Sequence, residues 1–163
     1  ILTHAHFDHA ENAALIADKL GIPISMSEYD RNLIKSNNAQ RLYAETFLGK
    51  IVLSASLKDF SKRHMTEFQP DILLKDGDSL LDYGINAEIL ALPGHTDGSI
   101  GIDVENEGVI VGDALMNMFY PTASMLYNDR DMMLQSADKI SSLGERQIYF
   151  GHGKPKKNRS TWR

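Results

Sequence analysis

Cysteine is absent from the 163 residues. That one absence removes disulfides, thiolate nucleophiles and thiolate metal ligands together. Any metal held by this chain must bind through histidine and carboxylate, a donor set that suits Zn, Fe or Mn. Long apolar runs are missing too: none approaches the roughly 18 residues of a membrane-spanning helix, so no membrane association is expected. No signal peptide is visible, and a cytoplasmic location fits. Repeats, low-complexity stretches and Pro/Gly/Ser-rich linkers are lacking, which points to one domain. The formal net charge of −5 argues against a general polyanion binder, because phosphate contacts need clustered Lys and Arg. The expected partner is a small molecule rather than nucleic acid. The one basic cluster, "KPKKNRSTWR" at 154–163, reads as a solvated tail behind a domain spanning 1–153.

What is present is an ordinary globular composition, 42% apolar and 24% charged, enough for one core. The pattern alternates between strands and helices. Ile1 to Thr3 read as the end of a buried strand. Ala10, Ala13, Ala14, Ala17 and Leu20 follow the spacing of a helix face, with Gly21 placed to end it. "IPISMS" reads as a strand, and 28–62 is mostly helical with a break near Asn37-Asn38. In the second half, "DILLKDGDSLLDYG" implies short strands around turns. "INAEILALPGH" alternates as a strand, and "SIGIDVENEGVIVGDA" reads as a hairpin. Met133, Ala137 and Ile140 share a helix face that Gly144 can end, and "QIYFGHG" is a last strand.

Chemistry concentrates at the start. "THAHFDHA" puts His4, His6, Asp8 and His9 within a few positions, three of the six histidines in the chain. In extended backbone, residues two apart point the same way, so His4 and His6 can reach one metal. Asp8 and His9 fall where the strand turns into a helix, which re-aims them towards a second. His95, Asp113 and His152 each follow an apolar strand on a Gly-flanked loop, the position where layered α/β architectures assemble sites. The bland alternatives are a surface strand rich in histidine, a capping aspartate and two satisfied loop histidines. Seven N/O donors together are enough for two metals. His64, in "KRHMTE", is expected at the surface without a role.

The ordered set "THAHFDH", "LPGHTDGSIGI", "VGDALM" and "YFGHG" resembles the metallo-β-lactamase-fold hydrolase superfamily from residue 1 to 153. The resemblance implies an α/β (α+β) fold, an αββα sandwich with a dinuclear metal site at one edge. By the same resemblance His4, His6 and His95 bind the first metal, Asp8, His9 and His152 the second, and Asp113 bridges the two. Two divalent ions, Zn by default and Fe or Mn as alternatives, are the implied cofactors. Members carry a β-rich segment ahead of the first motif, and this sequence opens on the motif itself. An N-terminally truncated sandwich, a fragment that pairs as a homodimer through an incomplete sheet, is therefore expected.

The implied chemistry is hydrolysis by a hydroxide held between two metals, with Asp8 orienting it and Asp113 fixing the metal spacing. Without cysteine, the thiolate-containing β-lactamase types do not fit. Oxygen-reducing diiron members usually have glutamate at the second position of the first motif, where His6 stands here, so the resemblance favours hydrolysis over redox. The all-His/Asp set resembles glyoxalase II, acyl-homoserine-lactone lactonases and the phosphodiesterase branch. The leading expectation is a small ester, thioester or lactone. The alternatives are a phosphodiesterase, a metal-binding but catalytically idle fragment, and a structural protein with no metal. Thr3, Thr96 and Ser99 are candidates for orienting the histidines. Five of the seven methionines lie in 116–133 beside Phe119, Tyr120 and Tyr127, either an adaptable pocket wall or plain packing. Tyr120 or Tyr127 could hydrogen-bond an oxyanion. Lys154 could pair with a substrate anion, the plainer reading being a solvated tail lysine.

Overall fold

The computed structural model describes residues 1–63 and 65–162. The expectation for His64 lies outside the described residues. In chain order the helices are α1 (Phe7–Ala10), α2 (Ala13–Leu20), α3 (Arg31–Lys35), α4 (Phe47–Phe60) and α5 (Arg130–Ser142). The strands are β1 (Ser25–Met26), β2 (Ile72–Leu73), β3 (Ala87–Ala91), β4 (Ile100–Val104), β5 (Gly108–Gly112), β6 (Leu115–Met116), β7 (Thr122–Ala123), β8 (Gln147–Phe150) and β9 (Lys156–Lys157).

The main sheet has the order β3-β4-β5-β8-β9. Strands β3, β4 and β5 form an antiparallel meander, and β5 pairs with β8 in parallel. A parallel pair needs a crossover, which α5 supplies. The consequence matters for the site. With β4 running the other way, β3, β5 and β8 all point in one direction. The loops after these three strands therefore emerge at the same sheet edge.

One face of the sheet is covered along its length, the other over β3 and β4, while Ile110 and Tyr149 on that second face are exposed. On one side Leu92, Val109, Val111 and Ile148 pack with Ala137 and Ile140 of α5. Helix α5 forms because Asp129 caps it, its carboxylate accepting from the Met132 amide at 2.9 Å. Met133, Ala137 and Ile140 then recur on its buried face, as their spacing predicts. On the other side Leu74, Leu80, Ile89, Ile100 and Ile102 form a second cluster. A third, smaller cluster gathers Ala5, Met26, Leu33 and Ile34.

Several local expectations are met. The hairpin turns at Glu105–Glu107, with Asn106 at φ 63°. Gly21 ends α2 in the left-handed region at φ 62°. Others differ. Ile1–Thr3 forms no strand; its backbone bonds singly to each side, Leu2 N–H to Ser25 O and Ile100 N–H to Thr3 O, both at 2.8 Å. The first helix is split, α1 ending at Ala10 and α2 beginning at Ala13, and α2 buries none of its residues. Ala13, Ala14 and Ala17 of its apolar face are half-buried, while Leu20 is exposed. The region 28–62 is helical over Glu28–Asp30 as a 3-10 turn, over α3 and over α4, and the expected break at Asn37-Asn38 is wider than the sequence implied, running over 36–46.

The basic tail is not a free solvated end. Lys156–Lys157 pairs with β8 as an edge strand whose lysine side chains stay exposed, which protects the edge. Trp162 is 1% exposed and packs edge-on against Phe150, ring centroids 5.7 Å apart. Asn158 fastens this return. Its Nδ2 donates to Ile140 O at 2.7 Å and Gly144 O at 2.9 Å, satisfying carbonyls at the end of α5, and its Oδ1 accepts from Trp162 Nε1 at 2.9 Å. Asn158→Ala is expected to cost about 2 kcal/mol, since it orphans buried groups at both ends. Thermal melting should then fall by about 6 °C, and an unchanged melting temperature would contradict this anchoring.

Candidate metal centre

All seven expected donors converge at the edge where β3, β5 and β8 end. Three sets of nitrogen and oxygen atoms lie within 4.8 Å of one another: His4 with His6 and His95, His4 with His9 and Asp113, and Asp8 with His9 and His152. His4 and His6 share an extended stretch, and α1 then carries Asp8 and His9 round by one turn. His6 Nδ1 faces His95 Nε2 at 3.0 Å, and His9 Nε2 faces His152 Nε2 at 3.4 Å. Asp113 stands between the groups. Its oxygens lie 3.8 Å from His95 Nε2, 3.6 Å from His9 Nε2 and 3.4 Å from His152 Nε2. His152 Nε2 also approaches Asp8 Oδ2 at 3.1 Å.

This density of donors fits bound cations. Among the described residues, His4 Nε2, His6 Nε2 and Asp113 Oδ1 are buried without a hydrogen-bond partner. Buried polar atoms are normally paired, and three orphans around one point are what a cation would satisfy. The backbone also makes room. A Cβ on Gly151 would collide with Asp113 Oδ1 and with the His9 ring, so the loop before His152 can come this close only as glycine.

The charges follow from the packing. Burial drives the His4 ring well below its ordinary range, with the neighbouring imidazoles adding to it. Burial and then the His95 charge lower His6 to about 3. Both rings are thus neutral at pH 7, the form that binds metal. Burial works to raise Asp113, but its hydrogen bond to His152 and the charges of His95 and His9 outweigh that and hold it low. Burial likewise opposes, and the His152 hydrogen bond and the His9 charge prevail, bringing Asp8 to about 2. His152 is raised to about 10 by its hydrogen bonds to Asp113 and Asp8.

Outer contacts orient the rings. His95 Nδ1 donates to Leu126 O at 2.8 Å. In the neutral ring this leaves the lone pair on Nε2, facing the other donors. Ser124 Oγ lies 3.2 Å from the same Nδ1 and donates to Leu126 O at 2.6 Å. Ser124→Ala should loosen this support and cost about tenfold in metal affinity, measured by competition with a chromophoric chelator; equal affinity would remove Ser124 from the account. Thr3 Oγ1 sits 3.2 Å from His4 Nδ1, as a neighbour in sequence could. Thr96 and Ser99 bond each other at 2.7 Å and touch no site histidine directly.

One residue went unread in the sequence. Asp30, fully buried, accepts hydrogen bonds from Ala5 N at 3.1 Å, Gly98 N at 2.8 Å, Thr96 Oγ1 at 2.8 Å and Gln40 Nε2 at 3.0 Å. It ties the stretch between His4 and His6 to the loop that follows His95. Burial pushes its carboxyl up, against the pull of these donors. In "SEYDRN" an aspartate three residues after serine reads as an ordinary helix-start residue, and only the fold reveals its partners.

Five of the donors, His6, Asp8, His95, Asp113 and His152, line an open cleft of about 160 Å³. Met116, Met118 and Leu126 line it too, so part of the methionine-rich segment is a pocket wall. Met133 belongs to the core instead. Tyr127 packs into the core cluster, and neither it nor Tyr120 lines the cleft. Lys154 does not line it either; its carbonyl accepts from Asn117 Nδ2 at 2.7 Å. Val52, Ser56 and Phe60 of α4 line the cleft as well. The Phe60 ring stacks on His6 with centroids 5.1 Å apart.

Comparisons with known proteins identify the family. The model of the metallo-beta-lactamase superfamily matches residues 1–152. Hydroxyacylglutathione hydrolase GloC of Haemophilus influenzae is 32% identical over 158 residues, covering 94% of this chain and 67% of the relative. The probable metallo-hydrolase YqgX of Bacillus subtilis is 27% identical over 157 residues with the same coverage. Among solved structures, the BLEG-1 B3 metallo-beta-lactamase superposes with a TM-score of 0.72 at 24% identity, covering 95% of this chain and 69% of that one. TTHA1623 in a di-iron-bound form gives 0.65 at 21% identity, with 95% and 69% covered. The chain spans about two thirds of the length of its relatives. By its residues, its fold and these matches, this chain belongs to the metallo-beta-lactamase superfamily.

Proposed function

We propose that the chain is a dinuclear metallohydrolase acting on a small ester, thioester or lactone. The observation that carries this reading is Asp113, whose two oxygens stand within 3.8 Å of histidines from both donor groups. His4, His6 and His95 would hold one cation, Asp8, His9 and His152 the other, and Asp113 both. Bound there, two divalent cations would supply Lewis acidity and a water acidified towards neutral pH.

The protein's own part is to position and enclose. His4, His6 and His95 are fixed by burial, and Leu126 O sets the orientation of the His95 ring. Asp8 is the exposed carboxylate of the site and lines the cleft, where it can accept a hydrogen bond from the attacking water and orient it. Val52, Phe60, Met116 and Met118 give the cleft apolar surface against which an acyl group can lie. Serine or cysteine nucleophiles are not required.

Within the acyl class, the identity shared with a hydroxyacylglutathione hydrolase favours thioesters. The test is a panel of p-nitrophenyl acyl esters, acyl thioesters, lactones and bis-p-nitrophenyl phosphate, run after loading with Zn, Fe or Mn. Iron is included because a fold relative is a di-iron form. Chelator-sensitive acyl hydrolysis is expected. Turnover of the phosphodiester alone would move the chain to the phosphodiesterase reading. Metal uptake with no turnover on any substrate would favour the idle module.

A further inference from the structure

The cleft has a feature that the metal chemistry does not use. Along α4, Val52, Ser56 and Phe60 recur every fourth residue and so face the cleft together. Just beyond the helix, Arg63 joins the same lining. Its guanidinium carbon stands 5.0 Å over the Phe7 ring, a cation–π contact that places the charge beside the residue between His6 and Asp8. Asp59 shares the rim, but among the described residues no ion pair engages Arg63. It is the one lysine or arginine among the described residues of the lining. Phe60 and Met118 are among the apolar residues of the same lining, beside the polar Ser56 and Asp59.

We propose that Arg63 selects substrates in which an apolar spacer separates the scissile acyl carbon from a terminal carboxylate. The guanidinium fork would take that carboxylate in two parallel hydrogen bonds while the spacer lies against Phe60 and Met118. This inference rests on the hydrolase reading for its acyl chemistry, but the carboxylate preference can be measured without turnover.

The experiment uses the metal-loaded full chain and two matched pairs. p-Nitrophenyl hydrogen glutarate is compared with p-nitrophenyl pentanoate in turnover. Glutaramate is compared with pentanamide in calorimetric binding. The anionic member of each pair is expected to be favoured about tenfold, or about 1.4 kcal/mol. Arg63→Gln should bring both ratios near one, Arg63→Lys should retain part of the preference, and Lys58→Gln, on the same helix but outside the cleft lining, should keep it. A wild-type ratio near one overturns the inference. So does a preference that survives in Arg63→Gln, which would place the carboxylate on the site cations instead. If neither ester is hydrolysed but glutaramate binding keeps its Arg63-dependent preference, the recognition stands and the hydrolase reading falls. If both esters are hydrolysed equally, the reverse holds.

Discussion

Asp113→Asn is expected to lower metal-dependent acyl hydrolysis about a thousand-fold, the scale of losing about 4 kcal/mol of transition-state stabilisation. The reason is its position. No other carboxylate in the site lies within ion-pair distance of histidines from both donor groups: His95 at 3.8 Å in one, and His9 and His152 at 3.6 and 3.4 Å in the other. Asparagine keeps the shape, removes the charge, and turns one acceptor into a donor that faces imidazole nitrogens. Metal uptake should fall with activity, because the electrostatic tie between the two positions is lost. Circular dichroism should show the fold retained, since Asp113 makes no backbone hydrogen bond that the strands depend on. Activity within tenfold of the parent would show that Asp113 is not shared between the cations.

Asp30→Ala is the second large effect, and it acts without touching a cation. The substitution strands the amides of Ala5 and Gly98, while the Thr96 hydroxyl keeps Ser99 and the Gln40 amide keeps Tyr29 O and Asn32 Oδ1. Each orphaned donor costs about 1–3 kcal/mol, less in sum because neighbours relax. A total near 4 kcal/mol corresponds to a melting temperature lower by roughly 12 °C for a chain of this size. The loops that carry His4, His6 and His95 should loosen together, so metal affinity should fall as well. Asparagine should rescue poorly, because its NH₂ would point at groups that are themselves donors. Space offers no relief: a Cβ on Gly98 would already sit 2.7 Å from the Asp30 carboxyl carbon. Melting curves of the metal-free and metal-loaded variant check this, and a shift below about 3 °C would make Asp30 incidental.

The donors were legible because each announces itself locally. His95, Asp113 and His152 follow apolar strands and sit beside glycine, and the first motif packs four donors into one turn of direction. Their convergence was legible through topology, since β3, β5 and β8 must run the same way. Asp30 was not legible, because its partners Ala5 and Gly98 lie 25 and 68 positions away in sequence, and nothing near it marks burial. The role of α4 was hidden for a related reason. Its apolar residues face both the cleft and solvent, Phe47 being 77% exposed, so no single stripe told which side mattered. The tail misled through its charge: lysines on an edge strand look the same in sequence as lysines on a free end, and Trp162 was the sole apolar anchor among them. The helix face of α2 misled in the opposite sense, being correctly patterned yet no more than half-buried.

The central claim is that seven side chains hold two cations through one shared carboxylate. Equilibrium dialysis against Zn, followed by elemental analysis of the protein and of the Asp113→Asn variant, tests it most directly. Close to two equivalents are expected in the parent protein and a clear loss in the variant. One equivalent or fewer in the parent, or two in both, would contradict the claim.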